Sequence, residues 1–126
     1  MRSSMRAGLC AGLLMSALVA CGENEPPAPS IVETYMADPA AVDRGEALFV
    51  GTCAGYCHSF ERDNTDALYL FDCEWKHGDG DQDIFNTVIA GIPNTRMVGF
   101  GDNFPEGEAD LWKIIAFLRT NQESCA

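Results

Sequence analysis

Three stretches of this chain carry apolar side chains at spacings of three and four, the pattern of helices with one buried face. The first opens at Asp38-Pro39, with Asp as the cap and Pro in the first turn, and is expected to run to about Gly51. Val42, Gly45, Leu48 and Phe49 share its inner face. A glycine inside a helix costs about 1 kcal/mol against alanine, so Gly45 is expected to let another element approach closely. The second helix starts at Asp81 or Gln82, buries Ile84, Phe85, Val88 and Ile89, and stops at Gly91, which accepts the left-handed cap. The third opens at Asn103-Phe104-Pro105-Glu106, where Asn and Glu stand at capping-box spacing. It carries a stripe of Leu111, Ile114, Ile115 and Leu118 flanked by Trp112 and Phe117, with Arg119 in the last turn, where a cation complements the helix dipole.

No strand pattern and no internal repeat competes, so the expected class is all-α. The connections are less defined. Ser59 to Leu70 turns from polar to apolar, with a short helical turn expected near Ala67-Leu68, and Phe71 to Gly78 is a loop mixing aromatic and polar residues. Gly78-Asp79-Gly80-Asp81 is a turn; as a calcium loop it fails, because the twelfth position from Asp79 is Ala90 and not glutamate. Ile92 to Phe100 is an extended, proline-broken loop that ends between Gly99 and Gly101.

The N-terminus has a different character. Arg2 and Arg6 precede an apolar run from Ala7 to Ala20 that is shorter than the roughly 20 residues of a membrane-spanning helix. A basic start, a short apolar middle and small residues at the end describe an export signal. Leu18-Val19-Ala20-Cys21 resembles the lipobox of bacterial lipoproteins. That resemblance implies cleavage after Ala20, lipid on Cys21 and a periplasmic protein anchored to a bacterial membrane; an ordinary secretory signal cut nearby is the alternative. Gly22 to Ser30, rich in Pro and acidic residues, has almost nothing to bury and reads as a solvated spacer. The expected organisation is a signal over 1–20, a lipid-anchored tether over 21–37 and one domain over 38–126.

The candidate chemistry lies in Cys53-Ala54-Gly55-Tyr56-Cys57-His58. Two thiols can add across the vinyl groups of a haem, and the neighbouring imidazole can coordinate its iron. The usual form of this signal is C-x-x-C-H; here three residues separate the cysteines, and Gly55 is expected to make a bulge there inexpensive. Beyond the signal only Met36 and Met97 are methionines, and only His77 is a second histidine. Met97, in its glycine-bracketed loop, is the expected sixth ligand, with His77, water or no ligand as alternatives. Trp75 and Arg96 are the candidates to hold the haem propionates, and Tyr56, Val98 and Phe100 to rim an open haem edge. Cys73 and Cys125 remain, and in an oxidising compartment a disulfide between them is expected, with two free thiols as the alternative.

Net charge is −11, and removal of the signal leaves 6 basic against 19 acidic residues. So acidic a surface argues against nucleic acid and suits either a partner with a basic docking patch or plain solubility.

The residues from about 40 to 120 resemble a class I cytochrome c. The likeness rests on Asp43 to Phe49, on Cys53, Cys57 and His58, on Ile89 to Met97, and on Leu111 to Arg119. It implies three to five helices around one covalent haem c, with the first and last helices crossing at Gly45 and Phe49 against Phe117. It also implies a one-electron carrier with His58 and Met97 on the iron, passing electrons between a dehydrogenase or bc-type complex and an oxidase. Such a carrier is not an enzyme and takes no small-molecule substrate. Two other readings are open. One is a haem-based sensor whose sixth ligand is labile; the other is a zinc module built on Cys53, Cys57, His58 and His77, for which a second paired ligand set is missing.

Overall fold

The computed structural model describes residues 26–62 and 66–125. The expected signal 1–20 and the lipid site Cys21 lie outside the described residues. Four α-helices are present among the described residues: α1 (Ile31–Met36), α2 (Pro39–Phe49), α3 (Asp81–Ala90) and α4 (Glu108–Asn121). A π-helical turn, Val50–Ala54, continues directly from α2. The one extended pairing among the described residues is an isolated antiparallel bridge between Gly91 and Val98. None of these helices is long and apolar enough to cross a membrane.

The crossing of α2 over α4 organises the core. Gly45 is buried at the crossing, and a Cβ there would lie 3.0 Å from Phe117 Cβ and overlap the Lys113 carbonyl. Phe49, Leu111 and Ile115 are fully buried around it. Phe49, Phe60, Phe71 and Phe117 form an aromatic cluster with ring centroids 5.4–6.4 Å apart. The whole stripe expected on α4 is buried, and Trp112 stacks on Phe85 at 4.3 Å to hold α3.

Three details depart from the sequence reading. The folded region begins before residue 38: Ser30 and Glu33 form a reciprocal capping box at 3.1 and 2.6 Å, α1 follows, and Val32 is buried in the core. Val32, the packing of Tyr35 against the core and the cap hold six residues that the sequence reading placed in the tether. The expected capping box at Asn103 and Glu106 does not form. Asn103 donates to the Phe100 carbonyl at 2.6 Å, and α4 starts after Gly107, whose φ is 60°. What draws the chain into this arrangement is Asp110, with no exposed side-chain surface. Its carboxylate accepts from Arg44 of α2 at 3.1 and 2.9 Å and from the Glu106 amide at 2.9 Å. Finally, the chain bends at Asp66-Ala67 and forms no helical turn at Ala67-Leu68.

The C-terminal tail returns to the segment after the site. Glu123 N–H donates to the Phe71 carbonyl at 2.7 Å, Gln122 donates to the Asp72 carbonyl at 2.9 Å, and Arg62 joins Asp72 and Glu123 at 2.9 and 3.1 Å. Cys73 and Cys125 are bonded in this structure, with Cα atoms 5.7 Å apart.

Candidate functional site

Cys53 and Cys57 are free thiols, both half-buried, and Cys53 packs against the core. Burial, and secondarily the neighbouring Cys57, pushes the Cys53 thiol up to about 11. It is therefore a neutral thiol at neutral pH. The π-helical turn covers Cys53 and Ala54, and Gly55 to Cys57 form the turn that follows it. Gly55 has φ −61° and ψ −27°, ordinary right-handed values, so the turn does not draw on the conformational freedom of glycine. The extra residue is taken up in the π turn, and His58 N–H donates to the Cys53 carbonyl at 3.0 Å across five residues.

His58 Nδ1 lies 2.8 Å from the Leu68 carbonyl. A carbonyl only accepts, so Nδ1 carries the proton and Nε2 keeps its lone pair for a metal. Sequence reasoning did not find Leu68, because any residue type supplies a carbonyl and only the fold brings that one to the ring.

Met97 is half-buried in a short hairpin-like loop. Ile92 N–H donates to the Met97 carbonyl at 2.9 Å, and Met97 N–H to Thr95 Oγ1 at 3.1 Å. The loop is fastened to the end of α3: Phe100 and Gly101 donate to the Val88 and Ile89 carbonyls at 2.9 and 3.2 Å. Gly91 turns the chain at φ 71°, and Gly99 passes so close that a Cβ would lie 2.7 Å from the Ile89 oxygen.

Among the remaining candidates, Trp75 stands out. Its Nε1 is buried without a hydrogen-bond partner, while the Arg119 guanidinium lies 5.5 Å over its ring. A buried donor left unpaired costs about 1–3 kcal/mol, so an acceptor brought by a bound group fits there. Arg96 is exposed and paired with Asp66 through both nitrogens of its fork. That hydrogen bond, reinforced by the charge of Asp66, raises the guanidinium further. Tyr56 is 94% and Val98 64% exposed, whereas Phe100 stacks on Phe104 at 5.8 Å and is only partly open. His77 is exposed, and no three His, Cys, Asp or Glu side chains converge on one point among the described residues. Two surface recesses, of about 210 and 440 Å³, are lined by residues such as Arg62, Leu68, Tyr69 and Phe117; neither is lined by Cys53, Cys57 or Met97.

A paired-thiol motif ending in a histidine with a free Nε2, set into an α2–α4 crossing, is the arrangement the comparisons address. The family model for cytochrome c oxidase, cbb3-type, subunit III matches residues 40–118. The chain belongs to this family. None of the curated proteins and none of the solved structures compared with it matches. A cytochrome c domain of this family carries covalently bound haem c and serves haem-based electron transfer among redox proteins. The residues present fit that group. Two unpaired thiols would be available to its vinyls, His58 keeps a nitrogen free for its iron, and Trp75 offers a donor in need of an acceptor. The all-α architecture is that of the family.

Proposed function

We propose that this protein is a one-electron carrier of the bacterial periplasm, held to a membrane by lipid on Cys21, whose haem c iron is ligated by His58 and Met97. The haem supplies the reversible one-electron chemistry. Leu68 holds the imidazole in the tautomer that leaves Nε2 for the metal, and this hydrogen bond carries the proposal. The Met97 loop, fastened at both ends to α3, holds a thioether without demanding that the backbone move between redox states. His/Met ligation raises the potential above that of bis-nitrogen ligation. Trp75 donates to a propionate. Arg96, the other propionate candidate, is engaged by Asp66. With both axial positions filled there is no place for a substrate, and the protein is not an enzyme. Donor and acceptor are redox proteins, a dehydrogenase or bc-type complex on one side and an oxidase on the other. The acidic surface suits a basic docking patch on them.

The test is the ferrous protein matured in a bacterium that attaches haem. Purified wild type is expected to hold its pigment through acid acetone and to resist carbon monoxide at neutral pH. Met97→Ala is expected to bind carbon monoxide readily and to lower the reduction potential. Pigment lost to acid acetone would refute covalent attachment. Ready carbon monoxide binding by wild type would move the protein to the ligand-sensing class, and an unchanged potential in Met97→Ala would remove Met97 from the iron.

A further inference from the structure

The attachment motif is one residue longer than C-x-x-C-H, and the structure shows where that residue goes. In a C-x-x-C-H motif the first cysteine and the histidine are four residues apart, the span of an α-helical hydrogen bond. Here Cys53 and His58 are five apart, and the Cys53 carbonyl still accepts the His58 N–H at 3.0 Å, now in a π closure. The same two backbone groups are thus joined by a ring one residue wider. The π turn begins at Val50, immediately after α2, so the widening is prepared before the first thiol is reached. A π closure takes one more residue per ring, so the fourth position after Cys53 falls near where an α-turn places the third. Both thiols accordingly remain half-buried, while the surplus emerges outward: Tyr56 is 94% exposed and Gly55 is exposed with ordinary backbone angles.

We infer that the π turn keeps both thiols in register with His58, so that haem is fixed through both Cys53 and Cys57 and the residue displaced at Tyr56 is dispensable for attachment. This rests on the covalent-haem reading above. Each thiol adds across one vinyl group. A sulfur–carbon bond forms at the carbon next to the ring, the thiol proton passes to the terminal carbon, and the double bond becomes single. Nothing leaves, so the holoprotein mass is that of the chain plus one haem.

The experiment compares intact denatured mass and the pyridine haemochrome spectrum of wild type, a Tyr56 deletion, Cys53→Ala and Cys57→Ala, all matured in the same host. Wild type is expected to show one haem mass and the band of a haem with both vinyls saturated. The deletion, closing as an ordinary α-turn, is expected to show the same band. Each cysteine variant is expected to shift the band to that of a haem with one vinyl intact. A one-vinyl band in wild type, or a cysteine variant with an unshifted band, overturns the inference while leaving the carrier reading standing. So does a deletion variant that keeps the wild-type far-UV helix signal but loses a thioether. If the deletion does not fold, the cysteine variants decide alone. A colourless wild type would overturn the carrier reading itself.

Discussion

Glycine at three positions behaves in three ways, and only the surroundings separate them. Gly99 runs against the end of α3, where a Cβ would stand 2.7 Å from one carbonyl oxygen and 2.8 Å from the next. Those atoms are backbone and cannot rotate away, so the loop bearing Met97 must shift instead. Gly99→Ala is therefore expected to weaken or break Met97 ligation while leaving haem attached. The charge-transfer band of the methionine–iron bond should fade and carbon monoxide should gain access, with the haemochrome unchanged. Gly45 is confined between Lys113 and Phe117, and Gly55 faces nothing closer than the Val50 oxygen at 3.8 Å. The sequence singled out Gly45 correctly, because a glycine on the apolar face of a helix already signals close approach. At Gly55 the π turn accommodates the extra residue with ordinary right-handed angles, so the freedom of glycine is not needed there.

Elements are stabilised here by their crossings more than by their own propensities. On propensity alone Gly45→Ala and Gly55→Ala would both gain up to about 1 kcal/mol. At the α2–α4 crossing, overpacking of about 1–3 kcal/mol dominates. Gly45→Ala is expected to lower stability by about 2 kcal/mol, and Gly55→Ala to be neutral or slightly stabilising. Thermal unfolding of the two variants side by side measures the contrast, and equal melting temperatures would refute the crossing geometry. The start of α4 was misplaced for a related reason. A capping box is a local signal, and it lost to Asp110, whose partner Arg44 is 66 residues away in sequence.

At the scale of the molecule, Asp110 is the one carboxylate among the described residues with no exposed side-chain surface, and it joins α2 to α4. Burial alone would push its carboxyl up; the Arg44 fork, the Glu106 amide and the charges of Arg44 and Lys113 outweigh that and hold it below the usual carboxylate range. A carboxyl with a depressed folded-state value stabilises the fold above its unfolded-state value and loses that contribution as pH falls toward the folded-state value. Wild type should accordingly lose stability as pH drops below about 4. Asp110→Asn should be less stable at neutral pH, with a shallower acid dependence in the same window, followed by denaturant unfolding at several pH values. A variant whose acid dependence equals that of wild type would show that other groups set it.

The chain alone determined the helical class and the faces of α2, α3 and α4 and marked Cys53, Cys57 and His58 as the candidate attachment motif, because spacing and residue type carry that information without reference to the fold. It also marked Met97 as the candidate sixth ligand, since the chain beyond the signal holds so few soft donors. What it left open depended on groups that every residue possesses or on partners far along the chain. A carbonyl at Leu68 selects the nitrogen of His58, a carbonyl at Cys53 closes the π turn, and Asp110 meets Arg44 across the core. Backbone groups carry no signature in a sequence and buried pairs no fixed spacing, so these features exist only once the helices have crossed.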